Sequence, residues 1–324
     1  MPRSSVSQPI RFLPPAFIAL FPAFVLANHG PGTSGGGSST ASGETLRAGG
    51  FDLSLRTDLT RYQNLTRAEA AARAIQNGDF DGIDRTFVES ISIAYGITDD
   101  LQVSAQTGWY AGDNFVAAAA DGMGGATVAT ADPSGMTDLW LQGKLRLMHG
   151  QAGHLAAIAG VKLPTGKDDV RLSNDEKLEP SSQPGSGALD GQVGLAYSRY
   201  LTARSTIDAS GIYTFRGEHD GFRVGDRFDL GMALAYRVTE DIKSFPNWSV
   251  SGELLGVWLG EDEDHGARNE NSGGTTVYFA PGCRVRMSSH VSMAFVPAVP
   301  VYQDLDGDQP ETRAKLTFAM SFSF

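Results

Sequence analysis

From Phe51 onward the chain alternates apolar and polar residues over stretches a little longer than ten residues, the pattern of strands in a membrane barrel. The last strand shows this pattern most clearly. Its apolar face consists of Ala314, Leu316, Phe318, Met320, Phe322 and Phe324. Its other face consists of Arg313, Lys315, Thr317, Ala319, Ser321 and Ser323. We therefore expect the first face to meet lipid and the second to line the barrel interior.

The same period predicts about twelve strands along the chain. They are expected near residues 51–60, 85–98, 100–110, 135–148, 154–164, 187–201, 205–216, 225–239, 248–260, 274–288, 290–302 and 312–324. Their connections alternate between short turns, such as Asp99-Asp100, and longer loops, such as 111–134. This asymmetry predicts an all-β, transmembrane, antiparallel up-and-down barrel with short periplasmic turns and longer extracellular loops.

A soluble β-sandwich or lipocalin-like barrel would show a similar alternation, with the apolar face inward. The polar positions here are rich in Ser, Gly and Ala, with few of the lysines and glutamates that solubilise an exposed face. This inventory favours the membrane barrel.

The first residues read as a targeting signal. Arg3 and Arg11 precede an apolar run from Phe12 to Ala27, and small residues favour cleavage after Ala27. The alternative is an uncleaved anchor helix. We expect residues 1–27 to be a signal peptide, 28–50 to be a Gly/Ser-rich tether in the periplasm or the lumen, and 51–324 to form the barrel. The predicted location is the cell outer membrane of a Gram-negative bacterium.

Composition narrows the partners. The 324 residues carry a net charge of −11, which argues against a nucleic-acid partner. Cys283 is the single cysteine, so the chain forms no internal disulfide. The expected partners are outer-membrane lipid and lipopolysaccharide, the barrel assembly machinery through the C-terminal strand, and a small-molecule solute. No cofactor is expected. Alternating carboxylates at Asp304, Asp306 and Asp308 are weak candidates for a divalent cation, and a solvated acidic loop is the simpler interpretation.

Orienting each strand by its apolar face assigns a set of charged side chains to the lumen. They are Asp52, Arg56, Lys144, Arg146, Lys162, Asp190, Asp208, Arg216, Arg227, Asp229, Arg237, Glu253, Arg284, Arg286, Arg313 and Lys315. Basic residues outnumber acidic ones in this set, which predicts an anion preference for an open pore. The alternative is a network of interior ion pairs that keeps the barrel closed.

Two patterns concern the wall. Trp109, Tyr110 and Trp258 are expected near the outer membrane interface and Trp248 near the inner one. Glu89 falls on an apolar face, which predicts a bulge or a shifted register in the second strand.

The segment Gly160-Val161-Lys162-Leu163-Pro164-Thr165-Gly166-Lys167 leaves a strand through a Pro-Thr-Gly turn. With the N-terminal Gly/Ser tract, the strand pair around Tyr95 to Val103 and the C-terminal strand, it resembles the outer-membrane proteins found with meta-cleavage phenol-degradation pathways. That resemblance implies a passive channel for aromatic or other hydrophobic compounds, with no catalytic residue.

Other functions remain open. A closed structural or adhesive barrel would show the same alternation of residues. A lipid-modifying enzyme is a third possibility, because His290-Val291-Ser292 matches the His-x-Ser pair of the outer-membrane phospholipase A family. The pair is expected at a periplasmic turn with its side chains toward the lumen, away from lipid esters, and no third member accompanies it.

Overall fold

The computed structural model describes residues 37–324, and within them twelve long strands form a closed antiparallel barrel. The strands are β1 (Phe51–Tyr62), β2 (Arg85–Gly96), β3 (Leu101–Asp113), β4 (Leu139–Met148), β5 (His154–Leu163), β6 (Asp190–Tyr200), β7 (Ser205–Phe215), β8 (Arg227–Arg237), β9 (Asn247–Leu259), β10 (Gly274–Arg286), β11 (Val291–Leu305) and β12 (Thr312–Ser323). The predicted fold class is confirmed. The proposed signal peptide lies outside the described residues.

Each strand pairs with its neighbours in the chain, and β1 closes the ring by pairing with both β2 and β12. Strand bounds agree with the predicted ones to within a few residues, because the alternation breaks where each strand ends. Five short turns lie at one end of the barrel, between 96 and 291, and the longer loops lie at the other. We call these the short-turn end and the long-loop end.

The alternation sorts side chains between the two faces of the wall. Along β8 the even-numbered residues Phe228 to Tyr236 are exposed on the outside and the odd-numbered ones are buried inside. Glu89 faces outward in a regular register, opposite Thr57 and Trp109, so the predicted bulge is wrong. Tyr110 is 2% exposed and faces inward, which corrects its predicted place at the lipid interface. Neighbouring residues on a strand point to opposite faces, so of these two residues only Trp109 faces outward.

The long-loop end carries structure that alternation did not predict. Loop 63–84 contains the helix α1 (Arg67–Asn77), which begins with a capping box between Thr66 and Glu69. Two small sheets accompany it. The first comprises Asp79–Gly82, Phe115–Ala120 and Ala126–Ala131, and the second comprises Glu218–His219, Phe222–Arg223, Glu263–Asp264 and Ala267–Arg268. A short strand, Ser134–Met136, extends β3. Within 37–324 no helix combines the length and apolar character needed to span a membrane.

Loop 164–189 folds back over the mouth of the barrel at the long-loop end. Its segment 181–186, which begins in a 3-10 turn at Pro180–Ser182, is buried throughout. Leu178 packs against Tyr62 and Phe115 in an apolar cluster that joins this loop to its neighbours. The loop is thereby packed against its neighbours at the long-loop end.

Candidate functional site

The described part of the Gly/Ser tract lies inside the barrel. Residues 37–43 and Leu46 are buried, although the segment contains almost no large apolar side chain. We call residues 37–46 the plug segment. Because such a sequence buries little apolar surface, polar contacts with the wall must hold it in place.

Glu253, on the inner face of β9, makes the densest of these contacts. Its carboxylate accepts hydrogen bonds from the backbone N–H of Ser38 at 2.6 Å, Ser39 at 3.0 Å and Thr40 at 2.9 Å. The Thr40 hydroxyl donates a further bond at 2.9 Å. Glu253 is fully buried, so these donors take the place of the water that an ionised carboxylate requires.

Further inward polar residues bind the plug segment on both sides of Glu253. Asp208 accepts from Gly37 N at 2.7 Å, and the Arg284 guanidinium donates to Gly37 O at 3.0 Å. Ser198 accepts from Gly43 N at 2.9 Å, and Lys144 Nζ donates to the carbonyl oxygens of Ser42 and Glu44, both at 3.0 Å. The lumen residues therefore act as a cradle for a chain segment.

Gly43 shows how closely the plug segment approaches the wall. A Cβ atom on this residue would lie 2.2 Å from His154 O and 2.9 Å from Ala196 O, both backbone atoms. Only glycine permits this approach without moving the backbone. Three wall residues that bind the plug were missed in the sequence: Gln102, Ser198 and Ser210. The alternation along their strands already predicted that these side chains face inward. Their partners lie in the plug segment, whose sequence does not alternate.

Nearer the long-loop end, Lys162 is the centre of an ion-pair cluster. Its Nζ lies 2.6 Å from Asp190 Oδ2 and 3.1 Å from Asp138 Oδ2, and Arg216 adds a contact with Asp190 at 2.9 Å. Lys162 also contacts the Ser186 hydroxyl, and Asp138 accepts from Ser186 N at 3.1 Å. The cluster therefore ties loop 164–189 to the barrel interior.

A cavity of about 80 Å³ lies between the plug segment and the long-loop end. Two arginines on its wall form pairs with carboxylates two residues further along the same strand: Arg56 with Asp58 at 2.6 Å and Arg227 with Asp229 at 2.7 Å. Lys315 also lines this cavity. One of its walls is apolar and contains Leu255, which has the inward parity of Glu253 but was not among the charged side chains assigned to the lumen.

The remaining predicted lumen residues lie toward the ends of the barrel. At the short-turn end, Arg146 pairs with Asp100 at 2.8 Å, Arg237 donates to Ala203 O at 2.8 Å, and Arg286 lies over the Phe245 ring. Asp52, also near this end, accepts from Ser54 and Ser323, each at 2.7 Å. Arg313 corrects the prediction: a register shift opposite Arg61 and Tyr62 places buried Thr312 inward, and the exposed Arg313 meets Glu311 at 3.1 Å at the long-loop rim.

The excess of basic over acidic side chains in the lumen is smaller in the structure than the sequence predicted. Three carboxylates were left out of the predicted set: Asp58 on β1, Asp138 before β4 and Glu44 on the plug segment. Most arginines with an inward position meet a carboxylate or a backbone carbonyl. In this plugged state the lumen is largely an ion-pair and hydrogen-bond network.

A second acidic group lies in the loops at the long-loop end. Asp81 and Asp262 are buried and Glu179 is half-buried with one carboxylate oxygen buried; the three come from three different loops. Burial raises the pKa of Asp262 to about 7, and burial together with the neighbouring carboxylates raises those of Glu179 and Asp81 well above their ordinary values. Carboxyl groups placed so close together pack more favourably when they are protonated.

Within the described residues, the candidate cation site and the candidate His-x-Ser pair are not assembled. Asp308 pairs with Arg73 of α1 at 2.8 Å, and Asp304 accepts from Tyr302. Within 37–324, no three His, Cys, Asp or Glu side chains are arranged to hold a metal ion. His290 Nδ1 meets the Ser289 hydroxyl at 2.9 Å, so the adjacent serine takes the place that the His-x-Ser motif gives to Ser292.

Solved structures share the fold. The COG4313 outer membrane channel from Pseudomonas putida F1 superposes with a TM-score of 0.61 at 15% identity, covering 92% of this chain and 100% of that one. The CymD monoaromatic hydrocarbon channel gives 0.44 at 12% identity, with 86% and 89% covered. The KdgM porin in complex with disordered oligogalacturonate gives a TM-score of 0.43 at 7% identity, with 84% of this chain and 99% of that one covered.

No curated protein matches the sequence. Residues 29–288 match the family described as "Putative MetA-pathway of phenol degradation". The chain therefore belongs to that family and is an outer-membrane β-barrel.

Proposed function

We propose that this protein is a passive outer-membrane channel for small solutes, with the plug segment as its gate. The observation that carries this proposal is the way the lumen is closed. A permanently closed barrel can be filled by side chains of its own strands. Here the space is filled by residues 37–46, a chain segment that no strand of the barrel pairs with.

The contacts of the plug segment suit a reversible gate. They are hydrogen bonds to hydrophilic groups such as Glu253, Asp208 and Ser198, which water can replace when the segment leaves. Each such bond contributes only about 0.5–1.5 kcal/mol net, or about 1.5–3 kcal/mol where one partner is charged. Release of the segment therefore requires hydration of the lumen and leaves the strand pairing intact.

Family membership supports small aromatic compounds as solutes, since the family description concerns phenol degradation. The basic residues of the lumen favour anionic ones. Residues 1–27 serve in this proposal as the cleaved signal peptide. The short-turn end faces the periplasm, and the outer wall meets lipid and lipopolysaccharide. Assembly through β12 by the barrel assembly machinery, and the absence of enzymatic activity, complete the proposal.

Deletion of residues 37–46 tests the proposal in planar lipid bilayers. The intact protein should show small and infrequent openings, and the deletion variant should show discrete, larger conductance steps. Heat-modifiable gel migration establishes that both proteins form the folded barrel. A folded deletion variant without conductance steps would instead support the closed structural or adhesive barrel.

A further inference from the structure

The cavity beyond the plug segment is lined by an apolar wall and, beside it, by charged side chains of the adjacent strands. The apolar wall consists of inward residues of β9, β10 and β11. These are Leu255, Val257, Tyr278, Val296 and Ala298. The lumen of a membrane barrel is usually polar, and closure of the wall requires no inward apolar cluster at this place. An apolar surface that borders a cavity favours an apolar group of a bound molecule, because binding removes both surfaces from water.

The backbone of the apolar wall is also unusual. Between β10 and β11 the register runs from Phe279 opposite Val299 to Cys283 opposite Phe295, and the residues between these pairs form no ladder pairs. Pro281 lies in this interval, and proline has no N–H to donate to a ladder. The apolar cluster around the neighbouring Tyr278 lies beside this interval.

Three cations border the apolar wall from the strands on either side of it: Arg227 on β8, and Lys315 and Arg56 on β12 and β1. Lys315 differs from the two arginines. The guanidinium groups of Arg56 and Arg227 each form two hydrogen bonds to the carboxylate two residues further along their strand. Lys315 forms no ion pair with any carboxylate of the described chain, and its Nζ lies 4.2 Å from the centre of the Tyr278 ring. An ammonium group has three N–H donors, so the ring contact leaves donors for an anion.

We propose that this cavity is a binding site for a small amphipathic monoanion, such as an aromatic carboxylate. Its carboxylate pairs with Lys315 Nζ, and its apolar part packs against Leu255 and Val296. The inference rests on the proposed function, because the ligand enters through the lumen. It adds a defined site and a defined charge to that function.

The size of the cavity couples this site to the gate. An apolar cavity that binds benzene in another protein measures about 150 Å³. The present cavity, at about 80 Å³, is smaller, and Ser39 of the plug segment forms part of its boundary. An aromatic ligand therefore fits only when the plug segment moves away. Because the ligand binds the unplugged state better, it shifts the equilibrium toward that state.

Isothermal titration calorimetry on the full chain in detergent tests the site, with benzoate and benzyl alcohol as probes of nearly equal shape. Benzoate should bind at least about tenfold more tightly, as expected for a charge-assisted hydrogen bond in a confined site. Lys315→Met should abolish this preference and leave the affinity for benzyl alcohol unchanged. Lys315→Arg should retain the preference. Arg313→Met is the matched control, because this neighbouring cation at the rim faces Glu311 and should have no effect.

Equal affinity of the wild-type protein for the two probes would overturn the inference, as would retention of the benzoate preference in Lys315→Met. The comparison of benzoate with benzyl alcohol on the wild-type protein tests the inference even where a variant fails to fold. If deletion of the plug segment opens a pore but benzoate shows no preference, only the binding site is refuted. If benzoate binds preferentially but no variant conducts, the site stands and the channel proposal fails.

Discussion

Replacing Glu253 by Gln should release the plug segment from the lumen. The carboxylate accepts bonds from three consecutive backbone N–H groups and from the Thr40 hydroxyl. A glutamine places an NH₂ donor where one of the two acceptor oxygens was, so at least one N–H group loses its partner and faces another donor. The remaining bonds also lose the assistance of the negative charge.

The expected size of the effect follows from these contacts. A hydrogen bond to a charged group contributes about 1.5–3 kcal/mol net, and the contributions of bonds to one acceptor are not additive. A total loss of about 3 kcal/mol shifts the ratio of unplugged to plugged protein by about 100-fold. The wall should remain intact, because the backbone ladder of β9 with β8 and β10 does not involve this side chain.

Two measurements report this shift independently. Single-channel recording in planar bilayers gives the fraction of time spent open. Labelling of Ser39→Cys in a Cys283→Ser background, with a membrane-impermeant maleimide, gives the exposure of the plug segment without requiring conduction. Both quantities should rise in Glu253→Gln. Asp52→Asn is the matched control, because this buried inward carboxylate accepts hydrogen bonds from two side chains of the barrel, Ser54 and Ser323. Wild-type values for Glu253→Gln, or an equal rise for Asp52→Asn, would refute the assignment of Glu253 as the plug anchor.

Three further predictions concern the loops, the wall and the charge of the lumen. Because the folded-state pKa of Asp262 is raised to about 7, the stability that its protonated form contributes is lost as the pH rises through this value. Limited proteolysis within loop 164–189 should therefore be faster at about pH 8 than at about pH 5, and Asp262→Asn should reduce that difference. Leu230→Arg on the outer face should destabilise the barrel by about 2–4 kcal/mol in a urea folding titration, whereas the inward Lys315→Ala should be mild; equal losses would contradict the assignment of faces. Arg286→Glu in the plug-deleted protein should shift the reversal potential under a salt gradient toward cations, and an unchanged potential would show that Arg286 lies off the ion path.

The sequence predicted the wall well because a single physical rule governs it. A period of two residues separates lipid from lumen, and each strand obeys it whatever its neighbours are. The rule still holds but gives no contrast in polarity where both faces carry apolar residues. In β9, Leu254 and Trp258 face outward while Leu255 and Val257 face inward, so the alternation hides the apolar wall of the cavity.

The lumen was harder to predict, because parity shows which side chains face inward but not which groups they contact. Asp208 and Glu253 were placed in the lumen correctly as inward residues. Their partners are backbone N–H groups of a Gly/Ser segment, and such groups leave no signature in the sequence. The loop structure, including α1 and the buried carboxylates, depends on contacts among three loops that no local pattern encodes.

The plug segment also changes what the charge of the lumen means. In the plugged state, Glu253 and Asp208 accept hydrogen bonds from backbone donors and lie near the cation of Arg284. When the segment leaves, both carboxylates face water in the lumen, while Glu44 departs with the segment and frees Lys144 from two carbonyl oxygens. Opening therefore exposes two negative groups together with the cations that surrounded them. The anion preference should consequently be weaker than the basic residues alone imply, and it should depend on the cations near the short-turn end, where Arg237 and Arg286 have no ion-pair partner among the described carboxylates.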